Sequence, residues 1–208
     1  MKDLLIFPYN GNGREALDSL SERWNVIGFI DDSGEKYGKA ENGIKVFGRE
    51  ALELFPEARI LAVPGSPVSF RSRRQVIESL GQPKERFATI VHPSAVISSM
   101  AVVGFNVLIY PGVVLSGNPE IGNHICILSN SVIHHDSSIS DWTLIGSNVV
   151  VAGNVRIGKN CYIASGSCIR DGVTIGDNCL VGMGSVVLTD VPSDSVVAGN
   201  PARPLTKK

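Results

Sequence analysis

The chain has 208 residues, 43% hydrophobic and 19% charged, with a formal net charge of −1. That balance is ordinary for a globular protein and supplies no charged surface for nucleic acid or an anionic membrane. No run of about 18 apolar residues is present and Met1 to Pro8 is too short for a secretory signal, so a cytoplasmic protein without membrane insertion is expected.

Leu4-Leu5-Ile6-Phe7 reads as a buried first strand, followed by Gly11-Asn12-Gly13-Arg14-Glu15-Ala16 and an amphipathic run from Ala16 to Trp24. Val26 to Ile30 makes a second strand that ends on Asp31-Asp32. Ile44 to Phe47 and Ile60 to Val63 read as further strands, Arg49 to Phe55 as a short helix, and Pro67 to Leu80 as a helix stopped by Gly81. Strands alternating with helices predict a small open parallel sheet, a Rossmann-like half, over residues 1–88. The loop Gly11 to Ala16 fits G-x-G-x-x-A, and Asp31 lies twenty residues after Gly11, the spacing of a dinucleotide fingerprint. Such a loop offers backbone N–H groups and a helix N-terminus to phosphate oxygens. The acidic residues after the second strand, Asp31 and Asp32, suit hydroxyls or base donors. A unit of about 85 residues is half of a full dinucleotide fold, so a mononucleotide diphosphate is the expected ligand. A plain β–α turn that happens to use glycines is the alternative.

From Val91 the pattern changes. An aliphatic residue recurs every six positions without a slip, through Ile97, Val103, Ile109 and onward to Val187. Four positions after each comes a small or β-branched residue, such as Ala95, Val107, Ser131, Thr143 and Cys179. A period of six fits neither a helix nor a simple strand and is the signature of a parallel β-helix over residues 89–208, with three blocks to one triangular coil. Residues 18 apart in sequence then stack about 4.8 Å apart.

This stacking rule sorts the candidate reactive side chains. His92 stacks over Tyr110, His124 over Trp142, His134 over Ala152 and His135 over Gly153. No two histidines stack, which disfavours a three-histidine zinc site, and the four cysteines form no close pair, so no metal is expected. Cys161 and Cys179 fall where other blocks have Ser or Val and read as small buried residues. His135-Asp136 is the candidate base. An imidazole takes and returns a proton near neutral pH, and a neighbouring carboxylate fixes its tautomer. Gly153, one coil on, leaves room for a thioester and offers an N–H to a developing oxyanion. Val149, Val150, Tyr162 and Trp142 are too apolar for the inward columns alone to explain, so an interface between copies is expected.

Four stretches carry a family resemblance: Gly11 to Asp18, Val26 to Asp32, Val132-Ile133-His134-His135-Asp136, and Val197-Ala198-Gly199-Asn200-Pro201-Ala202-Arg203. With the coil, they resemble the nucleotide-sugar acetyltransferases of the sialic-acid O-acetyltransferase and bacillosamine N-acetyltransferase type. Pro8-Tyr9-Asn10 stands where that family usually has small residues, and Leu144 where it often has a second histidine. The resemblance implies a left-handed coil, acetyl-CoA as co-substrate, and a homotrimer in which one chain's catalytic histidine faces the next chain's CoA groove. On this sequence it implies that Asn10, Gly11, Gly13, Arg14, Asp31, Asp32 and His134 bind a nucleotide-linked amino sugar. His135, Asp136 and the Gly153 N–H are the catalytic set. Gly153, Ser165, Gly166, Gly182, Gly184 and Arg203 hold acetyl-CoA, with Lys207 and Lys208 near its nucleotide. N-acetylation of the sugar is the expected reaction. O-acetylation, or a trimeric scaffold without catalysis, are the alternatives.

Overall fold

A computed structural model describes residues 1–38, 40–41 and 43–205. The amino-terminal sheet has the order β3-β4-β2-β1-β5, where β1 is Lys2–Phe7, β2 Trp24–Ile30, β3 Ala40–Glu41, β4 Ile44–Phe47 and β5 Arg59–Ala62. All neighbours are parallel except the β3–β4 hairpin. Leu4 to Phe7 are buried because β1 is an interior strand covered on both faces, which is why it reads as a continuous apolar run. The expected helix over 16–24 is displaced. The helix is Gly11–Glu15, followed by a 3₁₀ turn at Ala16–Ser19. Asn10 sets its start by accepting the Gly13 N–H at 2.8 Å, and a Cβ at residue 13 would strike the Pro8 carbonyl. The expected helix over 67–80 shortens to Arg73–Glu78 after a 3₁₀ turn at Phe70–Ser72. The Ser66 hydroxyl takes the N–H groups of Val68 and Ser69 and holds the preceding segment as a turn.

Residues 90–204 form a β-helix of short strands in three sheets, parallel throughout except where the closing strand Arg203–Pro204 pairs antiparallel with Val196–Ala198. Pairs such as Val114↔Val132 and Ile127↔Ile145 keep the 18-residue register. The second residue of each strand points inward, so Ile109, Leu115, Ile133, Ile145, Ile163 and Val181 stack in one core. Val91, with no coil before it, stays 39% exposed. The hydroxyls in the inward columns are paired: Ser131 donates to the Gly146 carbonyl at 2.7 Å and accepts the Val149 N–H at 3.0 Å. Asn recurs at the corners because the backbone is left-handed there, with φ of 53° at Asn106 and 59° at Asn154. The register tightens after Val187, where Val191 bridges to Ile175 and Val197 pairs with Val181.

The outward residues give the three faces different characters. One face, carrying Leu108, Cys126 and Leu144, is buried under the amino-terminal unit together with Tyr110 and Phe70. A second is polar, through Glu120, Ser138, Arg156 and Thr174. The third is an apolar column of Val96, Val114, Val132, Val150, Cys168 and Val186. Three of the four residues expected at an interface are corrected here. Val149 lies in the coil core, Tyr162 packs on Phe70 at 6.0 Å, and Trp142 lies under the Arg74 guanidinium and stacks on His124 at 6.0 Å. Val149 occupies an inward position, and the other two meet the covering unit. Val150 alone of the four faces outward on the apolar column.

The two units are joined at His124. Arg73, 1% exposed, donates to the His124 carbonyl through Nε and Nη2 and to the Pro64 carbonyl through Nη1. Asn106 bonds Ala62 N–H and carbonyl and also His124 Nδ1. Burial first, then the charge of Arg73, push the His124 pKa from 6.5 down to about 4, against the opposing pull of Asp141 and Glu78. As pH falls, the unfolded chain therefore takes up this proton before the folded one does. The contribution of His124 to stability is full above 6.5 and declines toward 4. Denaturant titrations should show stability falling by up to about 1.4 kcal/mol per pH unit across that window. His124→Gln should flatten that slope, and an unchanged slope would place the titration elsewhere.

Candidate active site

His135 and Asp136 lie on the edge where the apolar face turns into the polar one, between strands Val132–Ile133 and Ser138–Ile139. Asp136 has a φ of 57°, a conformation Asp tolerates. Asn118, one coil earlier, locks it: the Asp136 N–H donates to Asn118 Oδ1, and Asn118 Nδ2 donates to Asp136 Oδ1, both at 2.9 Å. The other carboxylate oxygen is 2.8 Å from His135 Nδ1. The Asn118 amide, then His135, hold the Asp136 carboxyl below its usual pKa. An ionised carboxylate only accepts, so Nδ1 is the donor and Nε2 carries the lone pair. The imidazole is 58% exposed, as a base open to substrate requires.

Gly153 lies where stacking placed it, but the room it leaves is taken by His135. A Cβ at residue 153 would lie 2.6 Å from Cε1 and 2.8 Å from Nε2 of that ring. The same point is 2.9 Å from Asp171 Oδ2. Asp171 was not found from sequence, although carrying the 18-residue step one coil past Gly153 reaches it. His134 precedes the base in the same turn and is half-buried.

Ser165, Gly166, Gly182 and Gly184 are brought together, but on a different edge, between the covered face and the apolar one. Gly166 N–H donates to the Ser147 carbonyl and Gly184 N–H to the Ser165 carbonyl. Gly166 and Gly184 have φ of 74° and 65°, and Met183 between the outer glycines is 76% exposed. Arg203 sits on the closing strand Arg203–Pro204 and donates to its own neighbour's carbonyl at Ala202. Lys207 and Lys208 lie outside the described residues. Within one chain, therefore, His135 and the glycine edge flank the apolar face without meeting.

On the amino-terminal unit, the loops gather at the carboxyl ends of β1, β2 and β5, where open parallel sheets bind ligands. Gly11 faces open space. Arg14 lies 5.9 Å from the Tyr9 ring. Asp31 is buried and accepts from Ser33 N–H and Lys36 Nζ, each at 2.9 Å, while Lys36 also reaches the Tyr9 carbonyl. Asp32 takes Arg49 in a two-pronged pair at 2.6 and 2.8 Å. Both carboxylates are thus engaged within the chain and shape the loop after β2. A cleft of about 160 Å³ opens between this unit and the coil, lined by Asn12, Gly65, Ser66, Leu128, Leu144 and Tyr162. Gly65 and Ser66 went unnoticed in the sequence, since only the end of β5 brings them there. Leu144, in the place of the family's second histidine, is packed into this junction and is 5% exposed. Among the described residues, no group of three or more His, Cys, Asp or Glu could hold a metal ion, and no helix is long and apolar enough to cross a membrane.

The chain matches the bacterial transferase hexapeptide family (six repeats) over residues 136–171 and 154–189. It is 30% identical over 113 residues to a UDP-N-acetylbacillosamine N-acetyltransferase of Bacillus subtilis (strain 168), a match covering 50% of this chain and 49% of that relative's length. The acetyltransferase domain of PglB from Neisseria gonorrhoeae FA1090, in complex with acetyl coenzyme A, superposes with a TM-score of 0.85 at 26% identity, over 98% of this chain and 99% of that one. A point mutant of GDP-perosamine N-acetyl transferase from Caulobacter crescentus, in complex with CoA and GDP-perosamine, superposes with a TM-score of 0.87 at 24% identity, over 100% of this chain and 98% of that one.

Proposed function

We propose that this chain is a hexapeptide-repeat acetyltransferase of the PglB and bacillosamine N-acetyltransferase type, and that it moves the acetyl group of acetyl-CoA onto the amino group of a nucleotide-linked amino sugar. The observation that carries this reading is an exposed imidazole whose Nδ1 is fixed by an ionised carboxylate, leaving a lone pair on Nε2. His135 takes a proton from the attacking amine and returns it to the departing thiolate. Asp136 steadies the imidazolium between the two transfers. The Gly153 N–H donates to the oxyanion. The nucleotide diphosphate lies over Gly11 to Arg14, and the sugar enters the cleft beside Gly65 and Ser66. Ser165, Gly166, Gly182 and Gly184 give a thin acyl-CoA arm a smooth edge, and Arg203 supplies charge at its nucleotide end.

The active chain is a homotrimer. His135 sits on the edge opposite the face that its own amino-terminal unit covers, so it serves the cleft of a neighbour. Packing the apolar column of Val114, Val132 and Val150 against a second copy brings one chain's His135 edge toward the next chain's glycine edge.

The test is thiol release from acetyl-CoA in the presence of UDP-, dTDP- and GDP-linked amino sugars. One of these should be turned over. Asp32→Asn should raise KM for that sugar by about tenfold, the cost of loosening a charge-paired loop, and leave KM for acetyl-CoA unchanged. No thiol release with any of the sugars would favour a scaffold.

A further inference from the structure

An N-acetyltransferase site must distinguish an amine from a hydroxyl. Asp171 lies two coils beyond His135 in the same stack, and its Oδ2 and His135 Nε2 flank Gly153, 2.9 and 2.8 Å from where a Cβ on that glycine would sit, close enough together for one small donor to reach both. A glycine is required there because any side chain would displace both groups. Asp136 already occupies Nδ1, so Asp171 does not orient the ring. Its carboxylate lies near the Cε1–Nε2 edge of the ring instead, where it and Nε2 are both acceptors. Asn154 Nδ2 reaches the same carboxylate oxygen only at 3.5 Å.

Two acceptors flanking one glycine suit a group that can donate to both at once. A sugar ammonium or amine has hydrogens for each. A sugar hydroxyl has one and leaves the carboxylate unpaired, which costs more than the lost bond alone. The geometry points to Asp171 as the residue that receives the acceptor nitrogen and makes this site an N-acetyltransferase, an assignment that rests on the reading above. The bound ammonium gives one proton to solvent. As the N–C bond forms and the C–S bond breaks, a second proton passes to His135 Nε2 and on to the thiolate. The products are the amide, the free thiol and one proton.

The test uses the full-length protein and whichever of the UDP-, dTDP- and GDP-linked amino sugars the wild type turns over fastest. The counterpart with a hydroxyl in place of the amine serves as a competitive inhibitor. Asp171→Asn keeps the side chain's shape and should raise KM for the amino sugar by about 10- to 100-fold, the range for a hydrogen bond to a charged group. It should leave KM for acetyl-CoA and the inhibition constant of the hydroxyl counterpart within about threefold. Asp171→Glu should recover part of the loss. An unchanged KM for the amino sugar, or an equal weakening of amine and hydroxyl ligands, would overturn the assignment. Absence of turnover by the wild type would instead strike the acetyltransferase reading itself.

Discussion

Replacing His135 with alanine should lower kcat by about 10²–10⁴-fold, the range for a lost general base, while the folded state is preserved. The ring is 58% exposed, and the backbone bond from Asn154 N–H to the His135 carbonyl does not depend on the side chain. KM for acetyl-CoA should change little, because a general base acts on the proton in flight rather than on the acyl carrier. Asp136→Asn should cost less. The imidazole loses its charged partner, but the Asn118 contact to residue 136 and the shape of the turn remain. Steady-state rates with matched circular dichroism spectra check both. Wild-type kcat in His135→Ala would assign the proton transfer to another group.

The coil was legible in the sequence because each of its positions has one job. Inward positions must be aliphatic or small, corner positions must tolerate a left-handed backbone, and both requirements repeat with the coil. That regularity placed Ile133, Gly153 and the buried Cys161 and Cys179 correctly, and it identified His135 as an outward side chain beside a glycine. The pairing of Asp136 with Nδ1 followed from adjacency, although the role of Asn118 in locking it did not.

What the sequence hid depends on contact between units. Tyr162 and Trp142 looked like interface residues because nothing local says that the amino-terminal unit folds back over them. The carboxylates of Asp31 and Asp32 looked available because Lys36 and Arg49 are partners only in the folded loop. The short helices failed for a local reason. Gly13 is there for its close approach to Pro8, and Ser66 diverts the chain into a turn before Arg73. Asp171 is within reach of the stacking rule, one coil past Gly153, but no motif of its own marks it in the sequence.

The division of the coil into edges sets up the second large effect. His135 and Gly166 lie on different edges, with the apolar column between them. A chain disabled at one edge therefore still offers the other intact. His135→Ala removes the base. Gly166→Trp blocks the smooth edge, where the backbone has a φ of 74° and any side chain is strained. Each variant alone should form an inactive homotrimer. Co-assembled from dissociated subunits, the two should regain activity, because some junctions then combine an intact His135 from one chain with an intact glycine edge from its neighbour. Random mixing in equal amounts should restore about a quarter of the wild-type rate per junction, since each side of a junction is intact in half of the chains. Recovery to that level in verified mixed trimers is what a shared site predicts. Mixed trimers that stay inactive, or a sedimenting monomer with full activity, would contradict it.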